Sequence, residues 1–228
     1  NGQPISCIQR PETGRELTFS HLSPAPEKKK ILVIGGGPAG MKATAVAASR
    51  GHSVKLIEAT SKLGGQVNLA ERLPGRSEFG GITTNLENML RTQDVEIKLN
   101  TEASLQLIRE EAPEVIILAT GGKSFEPKIE GKESAHVVTA WQLLEGKANV
   151  GSRVVIADWR CDWVGLGVAE LLARQGCHVR LACNGMVPGQ TINQYVRDNW
   201  LGTLHKLNVE TLTHLRLRGV DSDDTYFQ

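Results

Sequence analysis

Apolar residues gather in short runs divided by glycine and by polar stretches of helical period, and the order in which they do so predicts an alternating α/β chain. Residues 31–34 (ILVI) form a first strand, residues 39–50 an alanine-rich helix stopped by Gly51, and residues 54–57 a second strand. A glycine turn at 61–66 and an irregular, partly helical loop at 67–80 follow. A helix over 82–92, an alternating strand over 95–99, a short helix over 103–111 and a continuous apolar strand over 114–119 complete this part. Thr139 and Gln142 have the spacing of a capping box that starts a helix through Glu145. The pattern then begins again, with a strand over 152–157, a helix over 164–175 ended by Gly176, and a strand over 178–182. A helix over 191–206 with Trp200 and Leu204 inward, strands at 209–212 and 215–217, and the start of another at 226–228 close the chain. A parallel sheet ending there would leave an open edge, so the second half reads as cut short.

The chemistry sits in the first turn. Gly35, Gly37 and Gly40 stand at G-x-G-x-x-G spacing between strand and helix, with Pro38 and Ala39 opening the helix and Glu58 ending the next strand. Glycines permit the tight turn and let backbone approach a pyrophosphate, which is stabilised by the free N–H groups and positive end of the helix. Pro38 sacrifices no hydrogen bond in the first turn, because its missing N–H would have had no helical acceptor. A carboxylate at Glu58 can accept hydrogen bonds from an adenosine ribose and would repel a 2′-phosphate. The two glycines of the 61–66 turn permit positive φ or close approach to a ligand, and a glycine in Thr120-Gly121-Gly122, after the apolar strand, can bring backbone against a bound cofactor.

The repeat carries a damaged copy of that turn. Only Gly165 keeps the last glycine's place, while Arg160 and Asp162 hold the two earlier ones. Counted from Ile156 against Ile34, the second turn is three residues longer, and Cys183-Asn184-Gly185 stands where an acidic strand end would be. Asp158 and Asp162 near a pyrophosphate would cost on the order of a few kcal/mol. The second half is therefore expected not to bind NAD(P) in the ordinary manner, unless Arg160 restores phosphate binding.

Composition narrows the classes. A net charge of +1 over 228 residues gives no electrostatic case for nucleic acid or anionic membrane as partner. No run approaches about 18 apolar residues and no signal-peptide pattern opens the chain, so a cytoplasmic location is the default expectation. Four cysteines without a C-x-x-C pair specify neither a disulfide framework nor a complete metal site. The expected division is an arm over 1–29 rich in proline, a dinucleotide-binding domain over 30–149, and a second, partial Rossmann-like domain over 150–228.

GGGPAG with Glu58, then LGGQVNLAERLPGR (63–76) and VIILATGG (115–122), resemble the C-terminal part of the old yellow enzyme-like iron–sulfur flavoproteins, the group of trimethylamine dehydrogenase and 2,4-dienoyl-CoA reductase. The resemblance implies a glutathione-reductase-like Rossmann domain binding FAD or ADP through Gly35, Gly37, Pro38, Ala39, Gly40, Glu58, Gly65, Gln66, Thr120 and Gly121. It also implies an N-terminal TIM barrel of the same polypeptide holding FMN and the substrate site, followed by a [4Fe–4S] cluster whose last thiolate is Cys7. The altered second turn resembles the amine dehydrogenase and N-demethylase branch, which implies oxidation or demethylation of a small methylated amine, with electrons passed to an electron-transfer flavoprotein or similar carrier. The alternatives are an NAD(P)H-dependent 2,4-dienoyl-CoA reductase and a structural ADP-binding module. The substrate stays open, and so does assembly as a homo-oligomer.

Overall fold

The computed structural model describes residues 5–19 and 21–228, which fall into two compact units. The first comprises the residues through Glu71 together with Gly75–Lys123. Its elements are α1 (Glu16–Phe19), β1 (Lys30–Ile34), α2 (Pro38–Ser49), β2 (Ser53–Ile57), α3 (Val67–Ala70), α4 (Gly80–Arg91), β3 (Val95–Lys98), α5 (Leu105–Glu111) and β4 (Val115–Leu118). The four strands form one parallel sheet in the order β3-β2-β1-β4. Central β1 is continuously apolar because both its faces are covered, as in any parallel sheet flanked by helices. Alternate residues separate cleanly: Ile31 and Val33 pack with Met41 and Ala45 of α2 and Leu86 and Leu90 of α4, whereas Leu32 and Ile34 join Ile57 and lie against Leu107 and Ile108 of α5. Helix α5 starts at Ser104, whose hydroxyl accepts the Leu107 N–H at 3.1 Å, and ends at Ala112 in the left-handed region.

The second unit comprises Arg72–Pro74 and Ser124–Gln228. It contains α6 (Ala140–Glu145), β5 (Arg153–Asp158), α7 (Trp163–Arg174), β6 (His178–Cys183), α8 (Gln194–Lys206), β7 (Glu210–Leu212), β8 (Leu217–Val220) and β9 (Thr225–Phe227). Strands β5, β6 and β7 make a parallel sheet in that order, and β8 and β9 form a separate antiparallel pair. Both hydrogen bonds of the Thr139–Gln142 capping box are present. Trp200 and Leu204 of α8 are buried, as their spacing predicts.

Three features differ from the pattern reading. Residues 124–149 pack with the second unit, where Glu130 pairs with Gly219 and its carbonyl accepts the Val220 N–H at 2.8 Å. That stretch has no hydrophobic run to announce its partner. The strand expected at 215–217 lies at Leu217–Val220, because its register is set by β9 and not by its own apolar residues. Finally, β5 runs two residues further than Ile156, to Asp158, so residues 159–162 separate strand from helix where 35–37 do so in the first unit. The second turn is one residue longer, not three.

Candidate functional site

The glycine turn of the first unit is built from contacts that side chains would forbid. Gly35 has φ +110°, donates its N–H to the Ile57 carbonyl at 2.9 Å, and lies so close to Ala119 that a Cβ would enter the Ala119 carbonyl oxygen and come within 3.0 Å of the Thr120 nitrogen. Gly40, third residue of α2, is pressed against the Gly35 carbonyl, so any side chain there would overlap backbone. Gly37 caps the helix with no side-chain hydrogen bond. The first helical bond is Met41 N–H to the Gly37 carbonyl at 2.9 Å, which leaves the Ala39 and Gly40 N–H groups without helical acceptors and Pro38 with none to lose. A bare, positively polarised helix end results.

A second glycine pair closes on this turn. The Gly64 N–H donates to the Gly36 carbonyl at 2.9 Å, and the place of a Gly65 side chain is 3.1 Å from the Gly37 Cα. Gln66 extends from there to Gly122, its amide 3.4 Å from that carbonyl and 3.3 Å from the position a Gly121 Cβ would take. Gly35, Gly37, Pro38, Ala39, Gly40, Gly65, Gln66, Thr120 and Gly121 are thus brought to one place.

Glu58 reaches it through a bond the sequence did not announce. Its Oε2 accepts the Gly36 N–H at 2.6 Å, while Oε1 accepts the backbone N–H and the hydroxyl of Thr60, both at 2.8 Å. Burial pushes the carboxyl up, but the hydrogen bonds from Thr60 and Gly36 outweigh it and hold Glu58 below the usual carboxylate range. Thr60, two residues after Glu58, is the readable sign of that arrangement. With Oε1 accepting twice and Oε2 once, Oε2 keeps a further acceptor position.

Cys7 is exposed with a free thiol on an arm that polar groups fasten to the first unit. The Gln9 amide donates to the Gly81 carbonyl at 2.8 Å, the Gln9 carbonyl accepts from Asn85 at 3.0 Å, and Glu12 pairs with Lys42 of α2 at 2.6 Å. No helix of the described residues is long and apolar enough to cross a membrane.

The sequence model of the pyridine nucleotide-disulphide oxidoreductase family matches residues 29–227. The chain belongs to that family. It is 34% identical over 228 residues to the N,N-dimethylglycine/sarcosine dehydrogenase of Chromohalobacter salexigens, covering 96% of this chain and 33% of the relative. It is also 34% identical to the bilirubin reductase of Mediterraneibacter gnavus, covering 98% of this chain and 34% of that protein. Among solved structures, a 2-naphthoyl-CoA reductase in complex with 2-naphthoyl-CoA superposes with a TM-score of 0.90 at 31% identity, over 98% of this chain and 34% of the other. The chain therefore spans about a third of the length of the relatives it matches. The resemblance to old yellow enzyme-like iron–sulfur flavoproteins is borne out, and both dehydrogenases and reductases are among the relatives.

Proposed function

We propose that this chain is the FAD- or ADP-binding part of a larger FMN- and [4Fe–4S]-containing oxidoreductase that oxidises or demethylates a small methylated amine and passes electrons to an external protein carrier. The observation that carries the cofactor assignment is the helix end at Gly37–Gly40, stripped of every side chain that could cap it, with Glu58 tied to the same turn. The residues fit a dinucleotide. Ala39 and Gly40 donate N–H bonds to a pyrophosphate, Oε2 of Glu58 accepts from a ribose hydroxyl, and the Thr60 hydroxyl can rotate to release a further position. Gly65, Gln66, Thr120 and Gly121 line the continuation of the cofactor, and the two glycines keep backbone within reach of it. FAD, when bound, supplies one- and two-electron redox chemistry. Cys7, exposed and on a fastened arm, contributes a thiolate to the cluster.

The amine reading is supported by the dimethylglycine/sarcosine dehydrogenase relative and by a second unit whose turn lacks the glycine fingerprint. A reductase drawing electrons from NAD(P)H is the second reading, favoured by the bilirubin and naphthoyl-CoA reductases at similar identity. One experiment on the full-length protein separates them: identify the co-purifying nucleotide by absorbance and mass, then add NADH and NADPH without oxygen. A bound flavin dinucleotide unaffected by either agrees with the first reading. Bleaching by either selects the second, and a nucleotide without isoalloxazine removes FAD and leaves an ADP module.

A further inference from the structure

The second unit repeats the strand–turn–helix–strand of the first, and the two turns correspond residue by residue around the helix end. Asp162 is the residue before the first turn of α7, as Gly37 is for α2, and Gly165 is the third helical residue, as Gly40 is. What fills the turns differs. In the first unit the helix end is bare. In the second, Asp162 Oδ1 accepts the Val164 N–H at 2.9 Å, and its Oδ2 holds the Arg160 guanidinium at 2.7 Å. Asp158 Oδ1 accepts the Arg160 and Cys161 N–H groups at 3.1 and 2.9 Å, and Oδ2 lies against Gly165 where a Cβ would be. Both side chains belong to residues more than nine-tenths buried, at 7% and 8% exposure, and Asp158 Oδ2 has no hydrogen-bond partner. Turn N–H groups that would face a phosphate thus donate to carboxylate oxygens of the protein itself.

The place beyond β6, where an adenosine ribose would lie, is filled in the same way. The Cys161 thiol contacts Asn184 Oδ1 at 3.3 Å, and the missing side chain of Gly185 would stand 2.9 Å from that sulfur and 2.8 Å from Gln190 Oε1. Gln190 in turn accepts the Met186 N–H at 2.9 Å. We propose that the second unit's nucleotide place is occupied by its own side chains, with Asp158 and Asp162 standing in for the two phosphates of a pyrophosphate. They are the residues that close this unit to NADH and NADPH. Closure is by occupation of the donors, not by charge repulsion across an open site. This goes beyond the cofactor assignment in the first unit and does not depend on it.

The two causes are separable in the full-length protein with its co-purified cofactor bound, titrated calorimetrically with ADP-ribose and with NADH. Occupation predicts no saturable binding at millimolar concentration in the wild type and none in Asp158→Asn, whose amide oxygen still takes the two N–H bonds. The double variant Asp158→Gly/Asp162→Ser frees the Arg160 and Cys161 N–H groups and removes both charges while a serine hydroxyl keeps the Val164 cap, and is expected to bind ADP-ribose at one site at least tenfold more tightly than wild type. Binding by Asp158→Asn equal to that of the double variant would overturn occupation in favour of repulsion. A wild type that already binds either probe at this unit, or a double variant that melts normally yet gains nothing, would overturn the proposal outright. If the double variant does not fold, Asp158→Gly alone, which frees the Arg160 and Cys161 N–H groups and leaves the Asp162 cap in place, takes its part in the comparison with Asp158→Asn, and a folded Asp158→Gly that gains no binding overturns the proposal. Visible absorbance of the retained cofactor in the same samples reports separately on the first unit.

Discussion

Glu58 Oε2 accepts the Gly36 N–H at 2.6 Å, so the carboxylate at the end of β2 also fixes the shape of the glycine turn. Replacing Glu58 by Gln removes a charge-assisted bond of about 1.5–3 kcal/mol. Nucleotide retention by the full-length protein is expected to weaken by roughly tenfold or more, read by equilibrium dialysis. Because folding lowers the Glu58 pKa from its ordinary 4.5, its contribution is complete above that value and is lost as pH falls through the lower folded value. Wild type should therefore lose stability as pH falls through that region, and Glu58→Gln should flatten the dependence, measured by thermal melts across acid pH.

Gly40 has no room for a methyl group, since a Cβ would run into the Gly35 carbonyl and come within 3.2 Å of the Ala119 Cβ. Gly40→Ala is expected to destabilise the first unit by about 1–3 kcal/mol, the usual consequence of overpacking. Gly51→Ala, in open space but at φ +94°, tests backbone strain without overlap. Thermal melts of the two, compared with nucleotide affinity, should show Gly40→Ala losing both and Gly51→Ala losing stability alone.

Asp158 titrates in the opposite sense to Glu58. Burial raises its carboxyl above the ordinary 3.8, more than the Cys161 and Arg160 N–H bonds lower it. A group raised on folding stabilises the fold in full below 3.8 and loses that contribution as pH rises through the folded value. Asp158→Asn should therefore melt higher than wild type at neutral pH, and the difference should shrink in acid. Paired melting curves across that range measure it.

Trp200 Nε1 donates to Glu170 Oε2 at 2.7 Å inside the second unit, and the other oxygen of Glu170 meets Arg174 at 2.8 Å. Trp200→Phe leaves a buried carboxylate oxygen without its donor and is expected to cost about 1–3 kcal/mol. Adding Glu170→Gln to it should restore part of the loss, because an amide is cheaper to bury unpaired than a charge. A double-mutant cycle by chemical denaturation checks both.

Most of the first unit was legible in the chain because its determinants are local. The run ILVI, the glycine spacing and Pro38 each dictate backbone within a few residues, and the strands and helices fall within a residue or two of where periodicity put them. The bond from Gly36 to Glu58 was not legible, since it joins residues that only the parallel pairing of β1 and β2 makes neighbours. The second turn shows the same limit. Asp158 and Asp162 were visible as charges, yet that their oxygens take the turn's own N–H groups depends on where β5 ends, which hydrophobicity placed one residue early. Within residues 124–149 the capping box at Thr139 and Gln142 was readable, being local, but the pairing of Glu130 was not, because its partner, the Leu217–Val220 strand, is far along the chain and itself weakly apolar.

The seam between residues 36–37 and 64–65 contains no side chain from either glycine pair. Backbone meets backbone where Gly65 faces Gly37 and where the Gly64 N–H bonds the Gly36 carbonyl, so those contacts have no flexible side chain to absorb a mismatch. Anyone grafting the nucleotide-binding turn of one relative into another should move both segments as a single cassette, since a swap of residues 35–40 alone would bring a foreign curve against a native one.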